Sequence, residues 1–580
     1  MSGVGIVMER AVEIPMRDGT ILRAEIYRPA VPGPVPAILT RTPYDRTQPM
    51  NLGIGPDALR ATAAGYALVV QDVRGRWGSD GDFVPFVHEA ADGYDTVEWV
   101  AGQAWCDGNV GMIGGSYVGY TQWTAAAQRP PHLRAIAPVV ATSDLHDFWI
   151  YEGGAPSLWF NVSWLASLGL DAVTKRFPGE TWRVEALVKA MDTLGDHLPP
   201  VPGMTPAVFE MVGIGDLYRT WVEHPERDAW WRGLSVRESH AAIEVPSLSI
   251  GGWYDCFIGG TLANHAGMTA GGGSAAARSG TRLVVGPWRH AYPLLADPAG
   301  DAAFGIASSA VGIDLSAMIL RFFDRWVKGI ETVAPEAPVK LFVMGTNVWR
   351  DEEAWPLARA IPTELFLRSG GRANTLWGDG VLSEDPPVAG ELADTFVSDP
   401  SDPVPTRGGN LCCLQLVQDP GAFDQSEVEE RDDVLVYETE PMDEDVEVTG
   451  PVTLSVWVSS TAPDFDVTAK LIDAFPDDGI ARNLCEGITR ARYRNGTDRA
   501  ELVPVGEPVE IVVDLLGTAN VFREGHRIRL EVAAANWPRF DRNPQTGGAI
   551  AGAAELRAAR QTIHHDAAHP SRLRLPIIPG

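Results

Sequence analysis

Cysteine is scarce in this chain and irregularly placed. The 580 residues include five cysteines, Cys106, Cys256, Cys412, Cys413 and Cys485. An odd number at scattered spacing argues against a disulfide framework, and no Cys-x-x-Cys pair indicates a metal site. The cysteine pattern is typical of a protein from a reducing compartment, and we expect it in the cytoplasm.

Long apolar runs and an excess of positive charge are also missing. No stretch reaches the roughly 18 apolar residues that a membrane-spanning helix needs, and the N-terminal residues lack the pattern of an export signal. The 76 acidic residues outnumber the 47 basic ones, so the formal net charge is −29. A surface of that charge repels phosphate backbones. We therefore expect neither a membrane nor a nucleic acid as a partner.

A recognisable metal motif is lacking too. Three histidines lie close together in the C-terminal segment "IHHDAAH", at His564, His565 and His569. They form no HExxH pattern, have no cysteine partner, and fall in a strand-like tail. We expect no metal there.

The hydrophobic patterning predicts several domains. In the first third of the chain short apolar strands alternate with helices, which is typical of a largely parallel sheet covered on both faces. Amphipathic helices then dominate, the sheet pattern resumes, and the last part consists of alternating strands split by Pro, Gly and Asp turns. We predict an α/β domain (1–143 and 242–338), an inserted helical cap (144–241) and a jelly-roll β-sandwich (339–580).

The segment "GMIGGSYVGYTQW" contains a candidate nucleophile, Ser116. An apolar strand precedes this serine and a helix-capable segment follows it, which is the setting of a nucleophile elbow. The usual pattern has a second glycine two residues after the serine. Here that position is Val118, and the glycine follows one residue later, at Gly119.

A serine nucleophile needs a base, and the base needs an orienting acid. On an α/β-hydrolase sheet these follow the serine in the order acid, then histidine. His290 lies directly past the predicted strand in "RLVVGPWRH", and Asp255 ends the preceding strand in "SIGGWYD". We therefore predict a triad of Ser116, Asp255 and His290.

Several motifs in the same order resemble the cocaine esterase and X-Pro dipeptidyl peptidase family of serine hydrolases. The resemblance spans nearly the whole chain, and in that family the second glycine also comes three residues after the serine. The segments that carry it are "RTPYDR" (Arg41–Arg46), "QDVRGRWGSDGDF" (Gln71–Phe83), "GGSYVGYTQW" (Gly114–Trp123), "GGWYDCF" (Gly251–Phe257), "GPWRHAY" (Gly286–Tyr292), "FDVTAKLIDAFPDD" (Phe465–Asp478) and "NWPRFDRNPQTG" (Asn536–Gly547).

The resemblance implies an α/β-hydrolase domain with an inserted helical cap and a C-terminal jelly roll. It implies Ser116 as nucleophile, His290 as general base and Asp255 as orienting acid. It also implies an oxyanion hole made by the hydroxyl of Tyr44 and the main-chain N–H of Tyr117. The substrate is then a small-molecule ester or amide, and the reaction needs no cofactor or metal.

The substrate pocket is less determined by the sequence. Phe257 follows the acid by two residues, and we expect it to face the site. The cap tryptophans Trp149, Trp159 and Trp164 and the loop "GGNLCC" are further candidates for its lining. Packing between helices explains each tryptophan equally well.

Four functions remain open at this point. An esterase for bulky hydrophobic or aromatic acyl groups is the simplest. An α-amino-acid ester hydrolase or β-lactam acylase would need carboxylates that bind a substrate ammonium group. An X-Pro dipeptidyl peptidase is disfavoured, because it would carry an additional N-terminal helical domain. A non-catalytic protein that binds carbohydrate or a partner would have a broken triad. Homo-oligomerisation is left open.

Overall fold

The computed structural model describes residues 5–48, 56–290, 299–413, 419–476, 479–551, 553 and 555–580. Two of the motifs quoted above extend beyond these ranges. Ala291 and Tyr292, and also Asp477 and Asp478, lie outside the described residues.

The chain folds into α/β, helical and all-β regions. The strands up to residue 352 are β1 Ile6–Pro15, β2 Ile21–Pro29, β3 Val35–Thr42, β4 Ala67–Asp72, β5 Cys106–Gly115, β6 Leu133–Val139, β7 Tyr151–Glu152, β8 Ala155–Pro156, β9 Leu248–Tyr254, β10 Arg282–Arg289, β11 Val339–Val343 and β12 Val348–Glu352. The later strands are β13 Ile361–Arg368, β14 Gly380–Ser383, β15 Asp394–Ser398, β16 Leu435–Glu438, β17 Val446–Gly450, β18 Thr453–Ser460, β19 Asp466–Ala474, β20 Ala481–Arg490, β21 Val509–Asp514, β22 Thr518–Phe522, β23 Arg527–Ala533, β24 Ala559–His564 and β25 Arg572–Ile578.

The helices fall mainly in the first 330 residues. They are α1 Ala58–Ala63, α2 Glu89–Ala101, α3 Tyr117–Ala127, α4 Leu158–Arg176, α5 Thr181–Met191, α6 Ala207–Val212, α7 Gly215–Val222, α8 Ala229–Leu234, α9 Ile258–Gly271, α10 Ala275–Gly280, α11 Leu315–Trp326 and α12 Ser426–Glu429.

A ten-stranded sheet organises the first domain, in the order β1-β2-β4-β3-β5-β6-β9-β10-β11-β12. The strands from β4 to β11 in this order pair in parallel, and the pairs at the two ends are antiparallel. The central strands β4 and β9 are buried along their whole length, as expected for parallel strands covered by helices on both faces. The predicted α/β class is confirmed.

The predicted boundary between the α/β domain and the β domain, at residue 339, differs from the observed strand pairing. Strands β11 and β12 belong to the first sheet, although their sequence pattern assigned them to the β domain. Leu283 of β10 pairs with Val339 in parallel register, and β12 then closes the edge as a hairpin. Alternating hydrophobicity identifies a strand but does not say which sheet it joins. The first sheet therefore ends at Glu352.

The helical region between β6 and β9 contains α4–α8 and a short hairpin of β7 and β8. Its buried side chains, among them Trp149 and Trp164, form one core with Tyr117 and Phe257, which follow β5 and β9. The helices therefore cover the carboxyl ends of the parallel strands, where sheets of this type carry their sites.

The β domain follows residue 360 and contains β13–β25, which pair almost entirely antiparallel. Its core is continuous with that of the first sheet, because Leu283 and Leu341 belong to the same apolar cluster as Leu454 and Leu471. A long excursion between β15 and β16 leaves the sandwich, and residues 408–413 of that excursion reach the site described below. Within the described residues, no helix is long and apolar enough to cross a membrane.

Candidate active site

Ser116 occupies the turn between β5 and α3, with φ 60° and ψ −128°. A positive φ is unfavourable for a residue with a side chain, and such backbone strain is concentrated at functional sites. The turn is held on both sides: the Ser116 N–H donates to Val139 O (2.9 Å), and the Ser116 carbonyl accepts from the Gly119 N–H (2.8 Å). Ser116 therefore lies on the strained strand-to-helix turn that the sequence predicts.

Two glycines allow this turn. A Cβ on Gly114, where φ is +145°, would lie 2.1 Å from Cγ1 of Val118. A Cβ on Gly119 would lie 2.3 Å from Cβ of Ala141, which follows β6. Because Gly119 lets α3 pack closely against the end of β6, the glycine is needed three residues after the serine rather than two.

The three predicted triad residues meet at one edge of the sheet, where they follow β5, β9 and β10. His290 Nε2 is 3.1 Å from Ser116 Oγ, and His290 Nδ1 is 2.6 Å from Asp255 Oδ1. Asp255 is fully buried, and its N–H donates to Gly252 O (3.0 Å), which holds the turn after β9. The arrangement has the contacts of a nucleophile, a base and an acid that orients the base.

Tyr44 lies just past β3, the strand next to β5. Leu39 of β3 is in register with Met112 of β5, so Tyr44 and Ser116 follow the ends of adjacent strands. The indole N–H of Trp164 in the cap donates to the Tyr44 hydroxyl oxygen over 3.0 Å. Because that oxygen accepts a hydrogen bond from Trp164, the hydroxyl proton points away from the indole.

The two groups of Tyr117 have separate surroundings. Its main-chain N–H belongs to the first turn of α3, where amide groups have no acceptor within the helix. Its hydroxyl is buried beneath the turn, accepts from the Phe86 N–H (2.9 Å) and donates to Glu89 Oε1 (2.8 Å). Glu89 is also ion-paired with buried Arg41 (2.9 Å), and burial raises the pKa of this carboxyl. The motif "RTPYDR" thus supplies a supporting ion pair as well as Tyr44.

An aromatic cluster lies against His290. The ring of Phe257 meets the imidazole edge-on with centroids 5.1 Å apart, and Trp149 contacts Phe257 at 4.5 Å. Trp164 continues the cluster: its ring centroid is 5.2 Å from that of Trp149 and 5.9 Å from that of Tyr117. Trp159 has a different position: it is fully buried, and its indole N–H donates to Cys413 O (3.0 Å).

The cysteines include one feature that the sequence argument missed. Cys412 and Cys413 form a disulfide between adjacent residues, and Cys106, Cys256 and Cys485 are free. Irregular spacing excludes a framework of distant bridges but does not exclude a bond between neighbours. Leu411 and Cys412 belong to the aromatic core. The loop "GGNLCC" therefore reaches the site, and it carries the disulfide there.

Asn410 connects this loop to the end of β9. Its side-chain amide donates to the carbonyls of Trp253 (3.1 Å) and Asp255 (2.9 Å), and its main-chain N–H donates to Glu486 Oε1 (3.0 Å). Asn410 belongs to the loop "GGNLCC". A single sequence contains no signal that pairs it with Trp253 and Asp255, which lie more than 150 positions earlier.

Buried charges of the β domain also lie beside the site. Arg539 is ion-paired with both Glu152 of the cap (3.0 Å) and Glu486. Burial raises the pKa of the Glu152 carboxyl. Arg539 and Glu152 line a small cavity together with Trp149, Phe257 and Cys412. The motif "NWPRFDRNPQTG" is therefore a structural support of the site.

Two cysteine sulfurs lie close to His290, and one of them, Cys412 Sγ, is bonded to Cys413. Cys256 Sγ, Cys412 Sγ and a ring nitrogen of His290 all lie within 4.8 Å of one another. The C-terminal histidines are elsewhere, in the β domain: His565 is buried against Asp394 (2.9 Å), His564 contacts Ser459 (2.8 Å), and His569 contacts Asp566 (3.1 Å).

Two family models match this chain. Residues 18–292 match the X-Pro dipeptidyl-peptidase (S15 family), and residues 331–574 match the X-Pro dipeptidyl-peptidase C-terminal non-catalytic domain. Cocaine esterase of Rhodococcus sp. (strain MB1 Bresler) is 41% identical over 584 residues, which cover 98% of each chain.

Solved structures give the same architecture. An α-amino acid ester hydrolase is 25% identical with a TM-score of 0.80, over 99% of this chain and 97% of that one. An aminopeptidase from the marine sediment archaeon Thaumarchaeota archaeon is 24% identical, also with a TM-score of 0.80, over 100% of this chain and 97% of the other. The second comparison supports the fold alone.

Proposed function

This chain belongs to the X-Pro dipeptidyl-peptidase (S15) family and is a serine hydrolase of the esterase type, and we propose that it cleaves esters of bulky aromatic acids through a Ser116 acyl-enzyme. Its substrate is a small molecule. The observation that carries the proposed triad is the unbroken set of contacts from Ser116 Oγ through His290 to buried Asp255.

The proposed reaction has two half-reactions. His290 Nε2 takes the proton from Ser116 Oγ as the oxygen attacks the acyl carbon, and Asp255 stabilises the imidazolium that forms. The hydroxyl of Tyr44 and the N–H of Tyr117 donate to the oxyanion. His290 then protonates the leaving alcohol, the acyl-enzyme forms, and a water activated by His290 releases the acid.

The surroundings of His290 favour an uncharged aromatic acyl group. Phe257 packs against the imidazole, and Trp149 and Trp164 continue the aromatic cluster behind it. Aromatic rings pack well edge-to-face or offset. The buried carboxylates beside this wall, Glu152 and Glu486, are both paired with Arg539. Arg539 balances their charge, although Glu152 Oε1 makes no hydrogen bond within the described residues. The substrate panel below therefore has to separate an aromatic acyl group from one that carries an ammonium group.

The α-amino-acid ester hydrolase and X-Pro dipeptidyl peptidase activities are the competing functions. A substrate panel separates them: an aryl benzoate, the matching phenylglycine ester, and a Gly-Pro anilide. We expect kcat/KM for the benzoate to be highest, since only that acyl group avoids burying an ammonium ion. A preference for the phenylglycine ester, or turnover of the anilide alone, would refute the aromatic-ester proposal.

Covalent labelling tests the nucleophile independently of the substrate. A fluorophosphonate should modify the folded protein once, and peptide mapping should find the adduct on Ser116. The Ser116→Ala protein should remain folded, unlabelled and inactive. Labelling of another residue, or full activity of Ser116→Ala, would remove Ser116 from the mechanism.

We also propose a cytoplasmic location, supported by the three free cysteines. The Cys412–Cys413 disulfide joins adjacent residues and is not a framework of the kind found in secreted domains. Fractionation of the source cells tests it, and recovery of the protein in the medium or at the envelope would refute it.

A further inference from the structure

Two sulfur atoms beside His290 have no role in the proposed hydrolysis. Cys256 follows Asp255 directly, and Cys412 comes from the β-domain excursion. Their Sγ atoms and a ring nitrogen of His290 lie within 4.8 Å of one another. The cluster brings together two parts of the chain that are more than 150 residues apart, and it includes the proposed base.

The positions of these residues do not depend on the disulfide. Asn410 fixes the loop before Cys412 by donating to the carbonyls of Trp253 and Asp255. After Cys412, the Cys413 carbonyl accepts from Trp159 Nε1 (3.0 Å), and the Cys413 N–H donates to Ser163 Oγ (3.3 Å). Reduction of the S–S bond therefore leaves Cys412 next to Cys256.

Asp255 favours a cation at this point. The guanidinium of Arg539, which lines the same cavity as the two sulfurs, is balanced by Glu152 and Glu486. Asp255 Oδ1 is 3.7 Å from Cys256 Sγ, and Asp255 is fully buried. Its other oxygen, Oδ2, makes no hydrogen bond within the described part of the chain. A buried carboxylate with an unsatisfied oxygen lowers the cost of bringing a positive ion to this point.

We propose that reduction of the Cys412–Cys413 disulfide opens an inhibitory zinc site formed by Cys256, Cys412 and His290. Two thiolates and one imidazole are a donor set that suits Zn²⁺, with water in the fourth position of the tetrahedron. With Zn–S of about 2.3 Å and Zn–N of about 2.0 Å, tetrahedral ligand atoms lie roughly 3.5–3.8 Å apart. The three donors, which lie within 4.8 Å of one another, have to move closer together to reach that spacing.

The chemistry balances with a phosphine as reductant. The disulfide, one phosphine and one water give the Cys412 and Cys413 thiols and a phosphine oxide, so two electrons pass from phosphorus to the sulfurs. Zn²⁺ then replaces the protons of the Cys256 and Cys412 thiols and releases two protons. Two thiolates, a neutral imidazole and Zn²⁺ have no net charge, which suits a buried site.

Zinc at this position occupies His290. Binding through Nε2 displaces Ser116 Oγ, and binding through Nδ1 displaces Asp255. Either way the base loses a contact that the proposed hydrolysis needs. The inhibitory part of this inference rests on the proposed function, whereas zinc binding does not.

The first experiment compares the oxidised and reduced full-length protein. Phosphine-treated protein is desalted without oxygen, dialysed against Zn²⁺ and analysed for bound metal, with Co²⁺ as a spectroscopic substitute. We expect one Zn²⁺ per reduced chain, at an affinity at least about 100-fold above that of the oxidised chain. The Co²⁺ form should show thiolate charge transfer and tetrahedral d–d bands. Esterase activity should fall at least about tenfold with the bound zinc and return with a chelator.

Two cysteine variants separate the ligands without any reductant. Cys413→Ser leaves Cys412 as a free thiol, so this protein should bind zinc directly. Cys412→Ser removes the ligand and should not bind it, reduced or not. Cys256→Ser should also lose the site, whereas Cys106→Ser and Cys485→Ser, which change the other free cysteines, should keep it.

Three outcomes would overturn the proposal: equal zinc binding by oxidised and reduced protein, retention of the site in Cys256→Ser, or cobalt spectra without thiolate bands. Should a variant fail to fold, the comparison of oxidised and reduced native protein still decides. Zinc binding of the predicted kind without loss of activity would overturn the inhibitory part of the proposal, because His290 would then not be both a zinc ligand and the base.

Discussion

The indole N–H of Trp164 donates to the hydroxyl oxygen of Tyr44 over 3.0 Å. One residue belongs to the cap and the other to the loop after β3. The bond orients the Tyr44 hydroxyl, because an oxygen that accepts from Trp164 directs its own proton elsewhere. The cap therefore positions a group of the hydrolase domain.

Removing the Tyr44 hydroxyl tests the proposed oxyanion hole. Tyr44→Phe should lower kcat about 10²-fold and leave KM nearly unchanged, because an oxyanion donor acts mainly in the transition state. Steady-state kinetics on an aryl ester measures both values. Tyr94→Phe is a control outside the site, because Tyr94 lies on α2 with its ring against Arg17. An unchanged kcat in Tyr44→Phe would exclude the hydroxyl from the oxyanion hole.

Trp164 should act through Tyr44 as a positioning residue. Trp164→Phe keeps an aromatic ring but removes the N–H, so we expect kcat to fall about tenfold, less than in Tyr44→Phe. In a double-mutant cycle, Tyr44→Phe should cost less in the Trp164→Phe background than in the native protein. Additive losses would mean that Trp164 contributes packing alone.

Tyr117→Phe should separate the side chain from the main chain of this residue. The Phe86 N–H and Glu89 lose a buried partner, so the free energy of unfolding should fall by about 1–3 kcal/mol. The kcat of the folded protein should stay within about threefold, because the proposed oxyanion donor is the main-chain N–H. Thermal unfolding and kinetics on the same samples measure the two effects. A large loss of kcat at unchanged stability would assign the hydroxyl a catalytic role.

Gly119→Ala tests the close packing of α3 against the end of β6. The added methyl group would meet Cβ of Ala141 at 2.3 Å, and overpacking of this kind costs about 1–3 kcal/mol. The added methyl group should push α3 away from β6 and so displace the turn that holds Ser116. We therefore expect kcat to fall as well. Gly271→Ala, at the end of α9 with open space around its Cβ, should be neutral or slightly stabilising. Equal stability of the two variants would contradict this account of Gly119.

Buried His265 should make the protein sensitive to acid. Burial, and to a smaller extent Arg282, lowers its pKa from 6.5 to about 4. Between these values the unfolded chain binds a proton that the folded chain excludes, so stability falls as the pH drops from 6.5 towards 4. The full loss is about 3 kcal/mol.

Replacement of the imidazole isolates this contribution. The melting temperature of His265→Gln should depend less on pH than that of the native protein between pH 7 and 5, after correction for the difference at pH 8. Parallel curves over that range would show that His265 does not titrate on unfolding.

The sequence was informative where chemistry depends on local order along the chain. The strand, turn and helix around Ser116 identify the elbow because all three lie within about 20 residues. The positions of Asp255 and His290 follow from the fixed order of strand ends on this kind of sheet. The observed sheets confirm the predicted fold class, and the similarity to known proteins confirms the family. The catalytic roles remain proposals.

Other features depend on which distant segments meet. The membership of Val339–Val343 in the first sheet rests on its pairing with β10, and alternation alone cannot identify the partner of a strand. The contact between Asn410 and the carbonyl of Asp255 joins two loops with no shared motif. The disulfide between Cys412 and Cys413 was missed because spacing rules address separated cysteines.

The anchoring of Asp255 by Asn410 has a consequence for heat inactivation. The domain that carries Asn410 matches a family description as non-catalytic, yet its side chain holds the main chain of the proposed catalytic acid. Partial melting of the sandwich would release that strand end while the parallel sheet is still intact. Substitutions that stabilise the C-terminal domain should therefore raise the temperature at which activity is lost.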